Sequence, residues 1–329
     1  MKRKLGQSGI EVSAVGMGCW AIGGLFDYMG TPAGWGGVDD KESIRAIQTA
    51  IDLDCNFFDT ALNYGCGHSE QILGQALKGR RDQVVIATKF GHEVDAVNKG
   101  VQAYDGNEED SDVASRMRSD IETSLRNLGT DYIDLYQLHV WGLSIERAMP
   151  VRDMLETFIQ EGKIRTYGWS TDRVDAVKAF ATDSNCSTVQ MGLNIFHGDL
   201  ELLALCEAMN LASVNRSPLG MGILTGKFTP ETIFSDDDTR KYADWFPGFS
   251  GGSPTQEWID ALESVREVLT SNGRSLTQGA LAWIWGKSEV TIPIPGFKTV
   301  AQVEENCKAM VFGPLNPAQI MEIDQILGR

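Results

Sequence analysis

The chain has 329 residues and a formal net charge of −16, from 45 acidic against 29 basic side chains. That excess of acid argues against nucleic acid and anionic membrane surfaces as partners, though not against a small anionic ligand in a locally basic pocket. The length admits two domains, but α/β barrels reach it as one, and residues 1–329 are read as a single domain. Met1-Lys2-Arg3-Lys4 has the charge of a signal-peptide start, yet Leu5-Gly6-Gln7-Ser8-Gly9 follows instead of an apolar stretch. No apolar run approaches membrane-spanning length. Six Cys lie far apart (19, 55, 66, 186, 206 and 307) and read as reduced thiols, not as a disulfide framework. The expectation is a soluble cytoplasmic protein of open oligomeric state that works on a small molecule.

Residues 2–13 predict a β-hairpin turning at Ser8-Gly9, and Val12 to Met17 predicts a strand. The segment from Gly16 to Ala21 fits the G-x-G-x-x-G/A dinucleotide fingerprint, but no helix opens at its third position. A loop carrying Trp20, Phe26, Tyr28 and Trp35 follows, and such an aromatic loop suits a pocket wall. Asp39 and Glu42 predict a capping box on the next helix. Strands ending at Asp59 and Lys89 flank a helix over 69–78, and the polar residues 91–111 predict a loop. Met117, Ile121, Leu125 and Leu128 mark a helix stopped by Gly129. Strands over 133–138, 164–169, 188–193 and 212–215 alternate with helices over 145–160, 173–181 and 200–209. Residues 219–254 form a long Gly/Pro/Asp-rich excursion, and long loops inside compact domains are usually functional. Two helical segments come next, the second with a capping box at Ser275 and Gln278. A strand over 291–296 and helices over 300–310 and 317–327 complete the chain. Eight strands with helices in seven gaps make a (β/α)8 TIM barrel with an N-terminal hairpin and extra C-terminal helices.

In that barrel Asp59, Tyr64 and Lys89 share the edge where such folds do chemistry. Singly, an Asp or a Lys in a loop is usually half of a weak surface ion pair. Together they make a tuned proton donor, because a nearby cation favours the phenolate and should lower the Tyr64 pKa. Asp59 would hold the Lys89 ammonium. A lone His139 would more often be structural. The four His (68, 92, 139, 197) show no metal-ligand spacing such as H-E-x-x-H, which disfavours a metal enzyme.

With these residues placed, the chain resembles the aldo-keto reductases over nearly its whole length. The matching motifs are Gly-Met-Gly-Cys-Trp (16–20), Phe-Asp-Thr-x-x-x-Tyr-Gly (58–65), Thr-Lys (88–89), the run from Ser124 to His139, and Ser-Pro-Leu-Gly-x-Gly-x-Leu-Thr-Gly-Lys (217–227). The style is similar to bacterial members near the potassium-channel β-subunit branch. The resemblance implies NADPH as hydride donor, with NADH left open, and an aldehyde or ketone as acceptor. It implies Tyr64 as general acid, Lys89 and Asp59 as its support, and His139 as the group that orients the carbonyl. It places Ser170 and Gln190 at the nicotinamide carboxamide, with Trp20 and Asp59 close to the cofactor. Ser217, Pro218, Leu219, Gly220 and Lys227 lie along the pyrophosphate. Gly296, Lys298, Gln302, Glu305 and Asn306 hold the adenosine end, beside a helix N-terminus that favours phosphate. Trp20, Phe26, Trp35 and Trp141, with Tyr64 and His139, are the substrate-pocket candidates, weighed against plain packing.

Three departures from the family pattern stand out. Thr171 replaces a common Asn. Arg216 replaces an aromatic that stacks on the nicotinamide, so its charge is expected to favour the reduced cofactor. Gly296 and Gln302 replace basic residues, leaving Lys298 as the one cation of that segment. The competing reading is a non-catalytic, cofactor-sensing subunit of the same fold, which the retained His139 disfavours.

Overall fold

The computed structural model describes residues 1–103 and 110–329, with side chains from 110 to 115 left aside. Eight parallel strands run in sequence order around one sheet: β1 (Met17–Gly18), β2 (Phe57–Asp59), β3 (Val85–Phe90), β4 (Ile133–Leu138), β5 (Ile164–Ser170), β6 (Cys186–Asn194), β7 (Ala212–Arg216) and β8 (Thr291–Pro293). The two ends of the sheet meet. Gly16 N–H donates to Pro293 O at 2.9 Å, Gly18 N–H donates to Pro295 O at 3.0 Å, and Gly18 bridges Gly296. Around it lie α1 (Asp40–Asp52), α2 (His68–Ala76), α3 (Asp110–Leu128), α4 (Ile145–Gln160), α5 (Val174–Ala181), α6 (Leu200–Ala208), α7 (Gln256–Leu269), α8 (Leu276–Lys287), α9 (Val300–Phe312) and α10 (Pro317–Ile326).

Two apolar layers follow from the period-2 alternation of strands buried on both faces. Outward-facing Ile86, Tyr136, Tyr167 and Val189 pack against the helices. Inward-facing Phe57, Val85, Ala87, Leu135, Val214 and Ile292 fill the barrel together with Leu5, Ile10 and Val12 of the hairpin (Lys2–Lys4 with Glu11–Ser13). The hairpin therefore plugs the N-terminal end. Its Gly6 sits so close that a Cβ would lie 2.3 Å from Ser187 O. With that end stopped, only the C-terminal face is left for a ligand.

Some local expectations change. Residues 12–16 do not extend the first barrel strand, because the Ser13 hydroxyl bonds Val15 O at 2.7 Å and its N–H takes Asn56 Oδ1 at 2.6 Å, turning the chain. Asp39 caps α1, but Glu42 closes no capping box. Its carboxylate reaches across to Val300 N–H at 2.9 Å and pairs with Arg45. The loops over 21–38 and 91–111 are not plain loops. Phe26–Tyr28 pairs with Thr31–Ala33, His92–Asp95 with Gly100–Ala103, and the two hairpins join at Asp27–Tyr28 and Gly100–Val101. Charged residues masked the alternation there, since only Val94 and Val101 face each other in a mostly polar ladder. The part of that loop over 104–109 lies outside the described residues.

Candidate active site

The floor of the C-terminal face is a buried polar network. Lys89 Nζ donates to Asp59 Oδ1 at 2.6 Å, to Thr60 O at 2.8 Å and to Tyr64 Oη at 3.1 Å. The other carboxylate oxygen of Asp59 accepts from Gln137 Nε2 at 3.0 Å and Gln190 Nε2 at 2.8 Å. Strand register makes this geometry: Asp59 pairs with Ala87 across β2 and β3, and Gln137 pairs with Lys89 across β3 and β4. A buried charge is tolerated only when paired and fully hydrogen-bonded, and both conditions hold here. Burial works against the Lys89 ammonium, but Asp59 and Tyr64 outweigh it and its pKa stands above the ordinary lysine value.

Tyr64 lies in the loop after β2. The following Gly65 has φ 59°, and a Cβ there would fall 1.8 Å from Gly23 O. Only glycine lets this turn press against the loop after β1. The expected lowering of the Tyr64 pKa is corrected: burial raises it above 10, and the Lys89 ammonium, acting the other way, does not win. The phenol is thus held in its protonated form, as a proton donor requires.

Above this floor stands an aromatic wall. Trp20 stacks on Tyr64 with ring centroids 6.0 Å apart, and Trp35 meets Trp20 edge-on at 4.7 Å. His139, just past β4, stands edge-on to Tyr64 at 6.0 Å and 5.1 Å from the ring of His92. Burial first, then His92, Lys89 and Arg216, keeps the His139 pKa well below the usual histidine value. Phe26 is buried with Ala33, Cys66 and Val101, and Trp20 packs against that cluster. Trp141 is exposed, its indole N–H 3.4 Å from Asp172 Oδ2.

Most of the proposed cofactor residues lie on β5 to β7, on the segment after β7, and on the turn and helix after β8. Ser170 ends β5 and pairs in register with Gln190 in the middle of β6, whose amide nitrogen is committed to Asp59. Ser217 adopts φ 52°, its carbonyl held by Asn194 Nδ2 at 3.1 Å, and begins the turn through Pro218, Leu219 and Gly220. Left-handed backbone at a non-glycine residue costs about 1–3 kcal/mol and persists where surrounding structure enforces it. Asn306 is 2% exposed, and its amide nitrogen has no partner among the described residues. Glu305 accepts from Ser275 Oγ at 2.6 Å, and the Gln302 side chain accepts from Lys298 N–H at 2.7 Å.

At the N-terminus of α9, Glu42 accepts from Val300 N–H at 2.9 Å and Thr299 Oγ1 accepts from Gln302 N–H at 3.3 Å. Lys298, which donates to Gly36 O at 3.0 Å, is not electrostatically alone. Burial lowers its pKa, Asp238 and Asp237 pull it up and Arg240 adds to the lowering, while Lys298 in turn acts on Lys227. Arg216 does not present a bare charge. Both its terminal nitrogens bond Asp172, whose Oδ1 also accepts from Gly192 N–H at 2.9 Å.

Residues to which the sequence reading gave no role in the site are Thr60, Asn63, His92, Gln137, Asp172 and Arg240. Alternation would have found Gln137, since it shares the inward face with Leu135. No local pattern signals the others. A straddling contact also joins the two aromatic loops, Gly36 N–H to Asp237 O at 2.7 Å and Thr239 N–H to Gly34 O at 2.9 Å.

Comparison with known proteins agrees with this geometry. The aldo/keto reductase family model matches residues 14–328. Aldo-keto reductase YhdN of Bacillus subtilis is 32% identical over 307 residues, covering 91% of this chain and 86% of the relative. An aldo-keto reductase of Schizosaccharomyces pombe whose name carries NADP(+) is 29% identical, covering 98% of this chain and 89% of its own. The glycerol dehydrogenase structure from Gluconobacter oxydans superposes with a TM-score of 0.80 at 30% identity, covering all (100%) of this chain and 95% of that one. The holo aldo-keto reductase from Bacillus halodurans gives 0.76 at 27% identity, covering 99% and 95%.

Proposed function

Because this chain belongs to the aldo/keto reductase family, and is thus an NADP-dependent oxidoreductase, we propose that it reduces an aldehyde or ketone with Tyr64 as the general acid. The observation that carries this reading is the 3.1 Å contact from Lys89 Nζ to Tyr64 Oη above a fully bonded Asp59. NADPH, when bound, supplies the hydride; NADH is the weaker candidate donor. The residues that would hold it include Asn306, whose buried amide nitrogen has no partner among the described residues, an arrangement that is costly until a ligand fills it.

The carbonyl oxygen sits between Tyr64 Oη and the His139 ring. Tyr64 transfers its phenolic proton to that oxygen as negative charge develops there, and Lys89 stabilises the phenolate left behind. His139, neutral at pH 7, donates a hydrogen bond and fixes the carbonyl's direction. The reverse sequence oxidises an alcohol, with the Tyr64 phenolate taking the proton. Trp20 and Trp35 exclude water from this chamber, and Asp59 and Gln137 hold Lys89 in register. The cofactor-sensing alternative has no use for a proton donor supported in this way. A screen of aldehydes, ketones and keto-sugars for NADPH oxidation, run with wild type and Tyr64→Phe, tests the proposal. Turnover that survives within a few-fold in the variant removes Tyr64 from the role.

A further inference from the structure

Ser69 lies in the first turn of α2, where backbone N–H groups have no partner inside the helix. It is fully buried. Its N–H donates to Tyr64 O at 3.2 Å, and its hydroxyl donates to Cys19 O at 2.7 Å. A carbonyl only accepts, so the one hydroxyl proton of Ser69 is committed there. The Thr60 hydroxyl, 2.9 Å from Ser69 Oγ, is therefore the donor in that second contact. Thr60 in turn accepts at its carbonyl from Lys89 Nζ at 2.8 Å, and its N–H donates to Ala87 O at 2.8 Å. Cys19 N–H donates to Asp59 O at 2.8 Å, and the next residue, Trp20, stacks on Tyr64. One small side chain thus ties together the segment after β1, the segment after β2 and the start of α2.

Resting on the carbonyl-reductase reading above, we propose that Ser69 is a positioning residue, whose hydroxyl acts with that of Thr60 to set where Tyr64 Oη stands against Lys89 Nζ. Asp59 holds the ammonium, but the phenol stands on a loop of its own. That loop is pressed on one side by Gly23, whose carbonyl would lie 1.8 Å from a Cβ at Gly65, and is held on the other by Ser69 N–H. Removing the Ser69 hydroxyl leaves Cys19 O and the Thr60 hydroxyl without that buried partner, and both segments then shift to regain one. Proton transfer needs heavy atoms within about 2.6–3.2 Å, and a misplacement of about 1 Å can cost about a hundredfold in rate. A hydroxyl that served the fold alone would lower stability and leave the rate per folded molecule unchanged.

The test uses propanal and benzaldehyde as probes. It reads kcat and carbonyl KM for NADPH oxidation, NADPH affinity by fluorescence titration, and urea midpoints. Ser69→Ala should lower kcat per folded molecule by about tenfold, with carbonyl KM and NADPH affinity within about twofold. Ser69→Thr keeps the hydroxyl and should restore most of that rate. Thr60→Val keeps the side chain's shape without its donor and should repeat the loss, whereas Thr60→Ser should not. Losses in Ser69→Ala and Thr60→Val should fail to add when combined, because both remove the same bond. Ser69→Ala should also cost little more in a Tyr64→Phe background, where no phenolic proton is left to place. Full kcat per folded molecule in Ser69→Ala, or the same loss with and without the Tyr64 hydroxyl, overturns the positioning role alone. If Ser69→Ala does not fold, Thr60→Val decides by the same two outcomes. Absence of turnover with every carbonyl, or turnover indifferent to Tyr64→Phe, overturns the parent reading as well.

Discussion

Two halves of one chamber treat their polar atoms in opposite ways. On the floor, Asp59, Lys89, Gln137 and Gln190 spend their hydrogen bonds on each other. On the wall, Asn63, His92, His139 and Trp20 each keep a buried polar atom without a partner among the described residues. A satisfied buried network is rigid and fixes charge and orientation before any ligand arrives. An unsatisfied one stores a desolvation cost that a matching ligand removes. The difference separates residues whose partners are already in place from residues with a hydrogen bond still to make.

The sharpest way to break that division is at its junction. Tyr64→Phe removes one hydroxyl and should lower carbonyl reduction by about 10²–10⁴, the usual contribution of a general acid. NADPH affinity, read by fluorescence titration, should change little. Comparable losses in both would mean that the floor binds the cofactor and does not run the chemistry.

The wall should show itself in pH dependence. Burial depresses the His92 pKa to about 4, below its ordinary 6.5. A base with a depressed folded-state pKa contributes stability that is present above pH 6.5 and lost as pH falls toward 4, because the unfolded chain binds the extra proton. Urea midpoints should therefore decline over that window, and His92→Phe should flatten the decline by at most about 3 kcal/mol. An equally steep decline in the variant would assign it to other groups. The His139 pKa is held well below the usual histidine value, so kcat/KM should show no limb near pH 6.5.

The floor should fail by stability, not by recognition. Gln137→Leu removes one donor to a buried carboxylate and should cost about 1–3 kcal/mol in denaturant unfolding. A variant as stable as wild type would show that Gln190 alone suffices for that oxygen of Asp59.

How much of this was legible in the chain itself follows from the same contrast. The floor was readable because Asp59 and Lys89 sit toward the ends of apolar strands, where period-2 alternation and parallel register bring them together. His92 on the wall was not, because it reaches the chamber through a polar hairpin that pairs with a second hairpin 73 positions away in the chain, Asp27 with Gly100. Glu42 misled for a related reason. A capping box is a local pattern, yet its carboxylate bonds Val300, whose nearness is set by barrel closure. Arg216 read as a free charge because its partner Asp172 lies on a different strand's trailing loop.

At the adenosine end, Lys298→Ala should weaken NADPH by about tenfold and leave NADH nearly unchanged, at the low end for a charge-assisted bond because Lys227 and Arg240 share the field. Parallel isothermal titrations with the two cofactors read this directly. Equal losses for both would place Lys298 away from the 2′-phosphate.

The smallest effect concerns Arg216 and Asp172, the one place on the groove that copies the floor's strategy. A guanidinium beside the nicotinamide repels the oxidised, positively charged ring more than the neutral reduced ring. Asp172 bonds both terminal nitrogens of Arg216, so the two charges largely cancel at the ring. Removing the pair's cation therefore tests less than uncovering it. Arg216→Tyr should leave the ratio of NADPH to NADP⁺ affinities within about twofold, since a near-neutral pair is replaced by a neutral ring and a newly exposed carboxylate that water can solvate. Asp172→Asn keeps a side chain that can still accept from Gly192 N–H but leaves Arg216 uncompensated. It should shift the ratio toward NADPH by a few-fold, and the shift should shrink as salt is raised from low to physiological strength, because a half-exposed charge is screened. A salt-insensitive shift would point to altered loop geometry through Gly192. No shift at all would mean that the guanidinium lies too far from the ring to sense its charge, and the groove would then discriminate redox states by contacts other than Arg216.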